Sequence, residues 1–168
     1  MDATMFKQVK KRSIKQEKNT ARELCGRLTP ASGARWHSKG DIRTQNFLVE
    51  CKATEKDYYN LNYKVWDKIK DEAVRDGLRT PVMRIDLQNK YGDIVSLAVI
   101  SCFIYYDGIE SVIGTKEKLL VTQSSKRSVR LDSNSTYTCI EFTETIKQSI
   151  KLAIIPWEVF LTYAKTIN

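Results

Sequence analysis

The feature that most constrains the fold is the stretch Phe47–Lys52, where apolar residues lead into an alternation of charged and apolar side chains. Successive side chains of an extended strand point to opposite faces, so Glu50 and Lys52 project together, roughly 7 Å apart along the chain. The odd-numbered residues of the stretch are apolar and turn the other way. The pattern predicts a strand over 47–53 with one apolar and one charged face.

An acidic residue stands one short connection upstream of this strand. Gly40-Asp41-Ile42 is followed by Arg43-Thr44-Gln45-Asn46, a polar tetrad that is typical of a turn. We therefore expect Asp41 to fold back beside Glu50 on a neighbouring strand, with Lys52 next to both. Two carboxylates and one ammonium group in one place indicate a metal-dependent phosphodiesterase site.

Size and charge limit the classes of protein that fit. The chain has 168 residues and a mass of 19.4 kDa, which is most simply one domain with a core of its own. Its formal net charge is +8, with 28 Lys and Arg against 20 Asp and Glu, which favours a polyanionic partner such as nucleic acid. No apolar run approaches the roughly 20 residues of a membrane span, so we expect no membrane and a cytoplasmic, intracellular protein.

The four cysteines are scattered along the chain and form no C-x-x-C pair. That spacing argues against a zinc knuckle or a redox motif. We expect small buried thiols in a reducing compartment.

The first half of the chain predicts a strand-helix-strand unit. A basic arm or cationic helix over 5–18 is followed by a helix from Thr20 that ends near Gly26. Residues 34–39 are compatible with a short strand. An amphipathic helix over 62–76, with Trp66 on its apolar side, links the strand at 47–53 to strands at 81–86 and 94–100. The connection between the first two of these strands implies parallel pairing through a right-handed crossover.

The second half is less regular. Residues 119–122 and 137–142 are typical of strands, and the polar stretch 123–135 between them indicates a loop. An apolar strand over 152–155 precedes Pro156, which we expect at the first position of a final helix that packs on the sheet. The predicted organisation is one domain over 1–168, with a basic N-terminal arm at 1–19, a probable insert at 107–147 and a C-terminal strand and helix at 150–168.

Glu23, Gly40-Asp41 and Val49-Glu50-Cys51-Lys52, in this order, resemble the PD-(D/E)xK nuclease superfamily. The Glu-Cys-Lys-Ala-Thr variant, with a helix-borne Glu upstream and a Gly/Ser-containing loop between, is similar to Holliday junction resolvases of the archaeal and phage kind. The resemblance covers about residues 20–86, and Gly40 stands where the motif has its Pro. It implies an α/β fold with a restriction-endonuclease-like mixed β-sheet core flanked by α-helices.

The resemblance also implies roles for individual residues. Asp41 and Glu50 would bind Mg²⁺ (or Mn²⁺) with the backbone carbonyl of Cys51, and Lys52 would orient the attacking water or offset charge in the transition state. Glu23 resembles the upstream acid that completes the catalytic and metal-binding set. The residues expected to contact DNA are Ser32 and Lys39 in the loop and Lys7, Lys10, Lys11, Arg12 and Lys15 in the basic arm.

Each of these residues also has a structural interpretation. Glu50 and Lys52 are compatible with an exposed ion pair, and Asp41 with a simple turn residue. Tyr58 and Tyr59 are candidates for stacking on unpaired bases, although aromatic residues beside a helix more often belong to the core, as we expect for Trp66. The single histidine, His37, disfavours histidine-metal nucleases and Ser-His or Cys-His triads.

The function expected from the sequence is a Mg²⁺-dependent, structure-specific DNA endonuclease of the Holliday junction resolvase kind, acting in DNA recombination or repair. Two coordinated cuts imply a homodimer, with interface candidates at 156–166 and 97–105. We expect a nucleoid-associated protein in the cytoplasm, which is the host cytoplasm if the source is viral. The alternatives are a duplex-cleaving restriction or repair nuclease of the same fold and a non-catalytic nucleic-acid-binding module.

Overall fold

A mixed eight-stranded sheet forms the centre of the computed structural model, which describes residues 3–29, 40–111, 114, 118–125, 127–145 and 148–167. The helices are α1 (Ala3–Glu23), α2 (Tyr63–Arg75), α3 (Cys102–Ile104), which continues into a π-helical segment (Tyr105–Glu110), and α4 (Trp157–Ile167). The strands are β1 (Arg27–Leu28), β2 (Ile42–Arg43), β3 (Phe47–Ala53), β4 (Tyr58–Asn62), β5 (Thr80–Gln88), β6 (Ile94–Ser101), β7 (Leu120–Ser125), β8 (Ser128–Asp132), β9 (Thr138–Thr145) and β10 (Gln148–Pro156). The predicted α/β class is thus confirmed, with helices flanking a mixed sheet.

The order of strands in the main sheet is β1-β2-β3-β5-β6-β10-β9-β7. The pairs β3–β5 and β7–β9 are parallel, and the other pairs are antiparallel. A second sheet consists of β4 and β8, paired antiparallel. The charged strand β3 is therefore third from one edge of the sheet, and only the two-residue strands β2 and β1 lie outside it.

The predicted strand-helix-strand unit is present. β3 and β5 pair in parallel with Glu50 opposite Met83, and α2 forms part of the connection between them. Asn62 caps α2, because its side-chain oxygen accepts a hydrogen bond from Lys64 N at 2.9 Å. Gly77, with a φ of +91°, follows its end.

Two apolar clusters cover opposite faces of the main sheet. The first includes side chains of α1, β3 and α4, namely Ala21, Leu24, Phe47, Val49, Cys51, Trp157 and Phe160. The second includes side chains of α2, β5 and the small sheet, namely Trp66, Ile69, Met83, Ile85, Leu61 and Leu131. Trp66 is a core residue, as predicted, and the odd-numbered residues of β3 face α1 while Glu50 and Lys52 share the face of α2.

Several local predictions are wrong. The helix predicted from Thr20 begins seventeen residues earlier, at Ala3, and the expected basic arm belongs to it from residue 3 onwards. Thr20 lies inside α1, where its hydroxyl donates to Gln16 O at 2.9 Å. Pro156 ends β10, so the final helix starts one residue later than expected.

The polar stretch 123–135, predicted as a loop, contains strand β8. β8 pairs with β4, a strand that was not predicted. Leu131 of β8 belongs to the second apolar cluster, and Val129, two residues earlier on the same face, packs against it. The probable insert at 107–147 thus supplies β7 and β9 to the main sheet and β8 to the small one. The strand suggested for 34–39 lies outside the described residues.

The thiols of Cys51, Cys102 and Cys139 are buried, as expected, whereas Cys25 is exposed. Cys102 Sγ and Cys139 Sγ are 3.1 Å apart in the core. Among the described residues, no helix has the length and apolar composition needed to cross a membrane.

Candidate active site

Asp41 lies at the edge of the main sheet, beside the second half of β3. Its backbone N–H donates to Val49 O at 2.9 Å, which extends the pairing of β2 with β3 by one bond. Two residues further along β3, the acceptor is the side chain of Asp41 and not a backbone carbonyl, because Cys51 N donates to Asp41 Oδ2 at 2.7 Å. The carboxylate is therefore held next to Glu50, as the sequence predicts.

Gly40 sets the backbone that leads into Asp41. It has a φ of +66°, and a Cβ at this position would approach Leu48 Cγ to 2.7 Å. Its N–H donates to Glu72 Oε2 at 3.2 Å in a buried contact, and the Thr29 hydroxyl bonds to Gly40 O on the other side. A residue of α2 therefore positions the catalytic candidate Asp41 through the preceding peptide.

Glu50 and Lys52 form an ion pair along β3, with 2.6 Å between Lys52 Nζ and Glu50 Oε1. Both side chains are partly buried on the face that carries Met83 and Ile85, the residues paired with them in β5. Tyr59 of β4 lies near enough to interact electrostatically with both. The predicted ion pair is present, but it is half enclosed by protein and stands beside a second carboxylate.

Burial and neighbouring charge raise the pKa of Asp41 to about 6, from a usual value of 3.8. Burial is the largest cause, the Glu50 carboxylate is the second, and the hydrogen bond from Cys51 opposes both. Burial by itself would lower the pKa of Lys52, but the charge and hydrogen bond of Glu50 outweigh it, and the pKa is raised. The carboxylates of the site repel each other and are partly removed from water, which is unfavourable. A bound cation would offset both effects.

Glu17 is a third acid at this edge, and the sequence interpretation missed it. Its charge also contributes to the raised pKa of Asp41, and its Oε1 accepts a hydrogen bond from the Ser13 hydroxyl at 3.2 Å. α1 covers the face of the sheet opposite to Glu50, so the two acids approach Asp41 from opposite sides. The sequence does contain a pattern that could have identified Glu17. It precedes Ala21 by four residues and Leu24 by seven, so all three lie on the sheet-facing side of a helix that is long enough to include them.

Glu23, predicted to be the upstream acid, has other partners. Its Oε2 accepts hydrogen bonds from Arg84 Nη1 at 2.6 Å and from Trp157 Nε1 at 2.9 Å. Arg84 also bonds to Thr20 and Asp86, and its guanidinium lies 4.6 Å from the centre of the Trp157 ring. Glu23 therefore joins α1 to β5 and α4, and its role as the upstream acid of the site stays a prediction.

The residues predicted to contact DNA are distributed unevenly. Lys11 and Lys15 are exposed on α1, and Lys7 and Lys10 lie in its first half. Arg12 differs from them, because its guanidinium bonds to Gln88 Oε1 at 2.5 Å and Glu55 Oε1 at 3.4 Å, which ties α1 to the end of β5. Ser32, Lys39 and His37 lie outside the described residues.

The donor set suits Mg²⁺ or Mn²⁺, which prefer oxygen ligands and need only one or two protein carboxylates. Asp41 and Glu50 supply carboxylates, and the Cys51 carbonyl points to the side of Asp41 because the N–H of the same strand residue does. Gln16 donates to Lys52 O at 3.1 Å, and its buried Oε1 has no partner within the described part of the chain. A ready-made cluster of three His, Cys, Asp or Glu ligands is not found among the described residues.

Comparisons with protein-family models and with curated proteins give no match for this chain.

Asp41→Asn should stabilise the protein at neutral pH. Because the pKa of Asp41 is higher in the folded than in the unfolded chain, its ionisation favours unfolding as the pH rises from about 4 to about 6. We expect the variant to gain roughly 1–2 kcal/mol at pH 7.5 and to lose that gain as the pH falls towards 4. Urea unfolding at several pH values measures the difference, and a constant difference across that range would contradict the account.

Glu72→Ala should disturb the site from a distance. The buried Gly40 N–H would lose its acceptor, at a cost of about 1–3 kcal/mol, and Asp41 would lose its alignment. Glu72→Gln is the matched control, because its amide oxygen still accepts the bond. Calorimetric titration with Mg²⁺ should show weaker binding for the alanine variant than for the glutamine variant, and equal affinities would argue against a positioning role.

Glu17→Gln should reduce the affinity for Mg²⁺, whereas Glu23→Gln should reduce the stability of the fold. Loss of the Glu17 charge should weaken Mg²⁺ binding about tenfold and lower the pKa of Asp41. Loss of the Glu23 charge should leave Mg²⁺ affinity unchanged and reduce the free energy of unfolding by about 1 kcal/mol or more, since its bond to Arg84 is charge-assisted. Titration and urea unfolding of both variants test this, and weaker Mg²⁺ binding by Glu23→Gln would support the sequence prediction.

Proposed function

We propose that this protein is a Mg²⁺- or Mn²⁺-dependent endodeoxyribonuclease that hydrolyses phosphodiester bonds in branched DNA, as a Holliday junction resolvase does. The observation that carries the proposal is the gathering of Asp41, Glu50 and Lys52 at one sheet edge, with the pKa of Asp41 raised by burial and by its acidic neighbours. Replacing one of these acids with a neutral residue would increase the stability of the fold, because it would remove the repulsion between carboxylates. A bound divalent cation would remove the same repulsion and would explain why both acids are present.

The residues present would divide the work as follows. Asp41 and Glu50, with the Cys51 carbonyl, would hold the cation, and Glu17 would hold one of its water ligands from the α1 side. When bound, the cation would polarise the phosphoryl oxygen and acidify the attacking water. Lys52, aligned by its 2.6 Å contact with Glu50, would orient that water or offset the charge that develops on the phosphate.

The distribution of charge supports a DNA partner. The chain carries a formal net charge of +8, and Lys11 and Lys15 are exposed on α1, the helix that reaches the site through Gln16 and Glu17. Such a helix would follow the phosphate backbone next to the scissile bond, and its contribution to affinity should fall steeply with salt.

Two cuts across a junction call for two copies of the site, and we include a homodimer in the proposal. One predicted interface, the helix at 156–166, is not available, because its apolar residues Trp157, Phe160 and Tyr163 are buried against the sheet. In the other, near 97–105, most apolar residues are buried too, but it includes Phe103, which is 69% exposed. The exposed Phe103 and the nearby Tyr106 favour this second surface as the interface.

Glu50→Gln and Lys52→Ala should each abolish Mg²⁺-dependent nicking while leaving DNA binding in EDTA intact. The first removes a cation ligand and the second removes the positive charge next to the phosphate, so each should reduce the rate at least about a hundredfold. Gel assays with a four-way junction, a flap, a linear duplex and a single strand measure the effect. Lys70→Ala is the control, because it breaks an exposed ion pair of α2 with Asp67.

The panel also separates the alternatives. Equal cutting of duplex and junction would remove the junction preference but keep the nuclease. Junction binding without cutting in either Mg²⁺ or Mn²⁺ would indicate a non-catalytic nucleic-acid-binding module.

A further inference from the structure

The β5–β6 hairpin and the connection from β3 to β4 lie side by side at the end of the main sheet where β3 and β5 finish. Because β3 and β5 are parallel, both end on the same side, and Thr54 N donates to Asp86 O at 3.0 Å. Gln88 N then donates to Lys56 O at 3.1 Å. The tip of the β5–β6 hairpin therefore lies beside the connection from β3 to β4, and Lys56 is about 13 Å or less from Lys52 along the chain.

The tip of this hairpin presents an aromatic ring to solvent. Tyr91 is 77% exposed, and Lys90 Nζ lies 4.9 Å from the centre of its ring. The turn is well tied, because Asn89 Oδ1 accepts hydrogen bonds from Tyr91 N and Asp93 N, both at 2.9 Å. Tyr91 packs little against the protein, so most of its ring surface is open to solvent.

A second ring stands on the outward face of the small sheet. Tyr59 and Leu61 pack towards the core, so Tyr58 points away from it, and the Arg130 guanidinium lies 3.8 Å from the centre of the Tyr58 ring. Lys56 Nζ is 5.3 Å from the same centre. Tyr58 is therefore a partly buried ring with the Arg130 guanidinium stacked over it, and it lies next to the hairpin that carries Tyr91.

The neighbouring acids reduce the positive charge of this surface. Glu55 pairs with Arg12, and Asp93 accepts a hydrogen bond from Asn89 at 3.0 Å, while Asp57 is exposed. The surface is thus distinguished less by its charge than by two rings with cations next to them. Rings of this kind bind the faces of nucleic-acid bases, which are exposed only where strands are unpaired.

We propose that Tyr58 and Tyr91, with Lys56, Lys90 and Arg130, form a stacking surface for unpaired nucleotides beside the catalytic edge. The inference rests on the proposed nuclease function and narrows its substrate to branched DNA with single-stranded segments, such as flaps and opened junctions. Bases stack on the two tyrosines, the cations contact the adjacent phosphates, and the strand continues towards Lys52.

Fluorescence anisotropy in EDTA tests the surface without cleavage. The probes are a labelled oligothymidylate of about 16 nucleotides, the upper end of the range of single-strand sites, and an abasic oligonucleotide of the same length. Tyr91→Ala and Tyr58→Ala should each weaken oligothymidylate binding at least about fivefold and leave abasic binding unchanged, because only the first probe has bases to stack. Tyr91→Phe should bind as the wild type does, since it keeps the ring.

Val74→Ala is the control, because Val74 is an exposed apolar side chain, at 52%, on α2 and has no part in the proposed site, surface or interface. It should leave the affinity for both probes unchanged. Thermal unfolding of each variant verifies that the fold is intact, and Tyr91, being the more exposed ring, decides the result if Tyr58→Ala is unstable.

Equal wild-type affinity for the two probes, or an unchanged affinity in Tyr91→Ala, would overturn the stacking surface. Neither result affects the nuclease proposal, which depends on Mg²⁺-dependent nicking that Glu50→Gln removes. Conversely, stacking without any nicking would support the surface and reject the nuclease.

Discussion

The hydrogen bond from Cys51 N to Asp41 Oδ2 is the contact on which the candidate site depends. It forms where the backbone pairing of β2 with β3 stops, so the carboxylate replaces the next residue of a strand. It also opposes the burial and the Glu50 charge that raise the pKa of Asp41. Without this bond, a short edge strand would have no means of holding a partly buried carboxylate beside another.

Two further devices support that bond from outside the strand. Glu72 of α2 accepts the Gly40 N–H, and Gly40 occupies a backbone region that a side chain would strain against Leu48. On the other face, Gln16 donates to Lys52 O and holds α1 close to the end of β3. The site is thus fixed between a helix on each face of the sheet, which is how a partly exposed edge gains the rigidity that cation binding needs.

Arg84 carries out a separate, structural task close to the site. It lies opposite Cys51 in the β3–β5 pairing, and its guanidinium is shared between Glu23, Asp86 and the Trp157 ring. This network joins α1, β5 and α4 and explains why Glu23, the acid that the sequence favoured, is occupied elsewhere.

The sequence alone was sufficient to predict the parts of the fold and of the candidate site that depend on local periodicity and turn residues. Alternation along 47–53 places Glu50 and Lys52 on one face, the polar tetrad after Ile42 turns Asp41 back beside them, and Gly77 follows the end of the amphipathic helix α2. Only the tertiary structure decided that α1 is continuous, that Glu23 pairs with Arg84 and that the stretch 123–135 contains a strand. These outcomes depend on contacts between residues distant in sequence, such as Arg84 with Glu23 and β8 with β4, which local propensity and spacing do not encode.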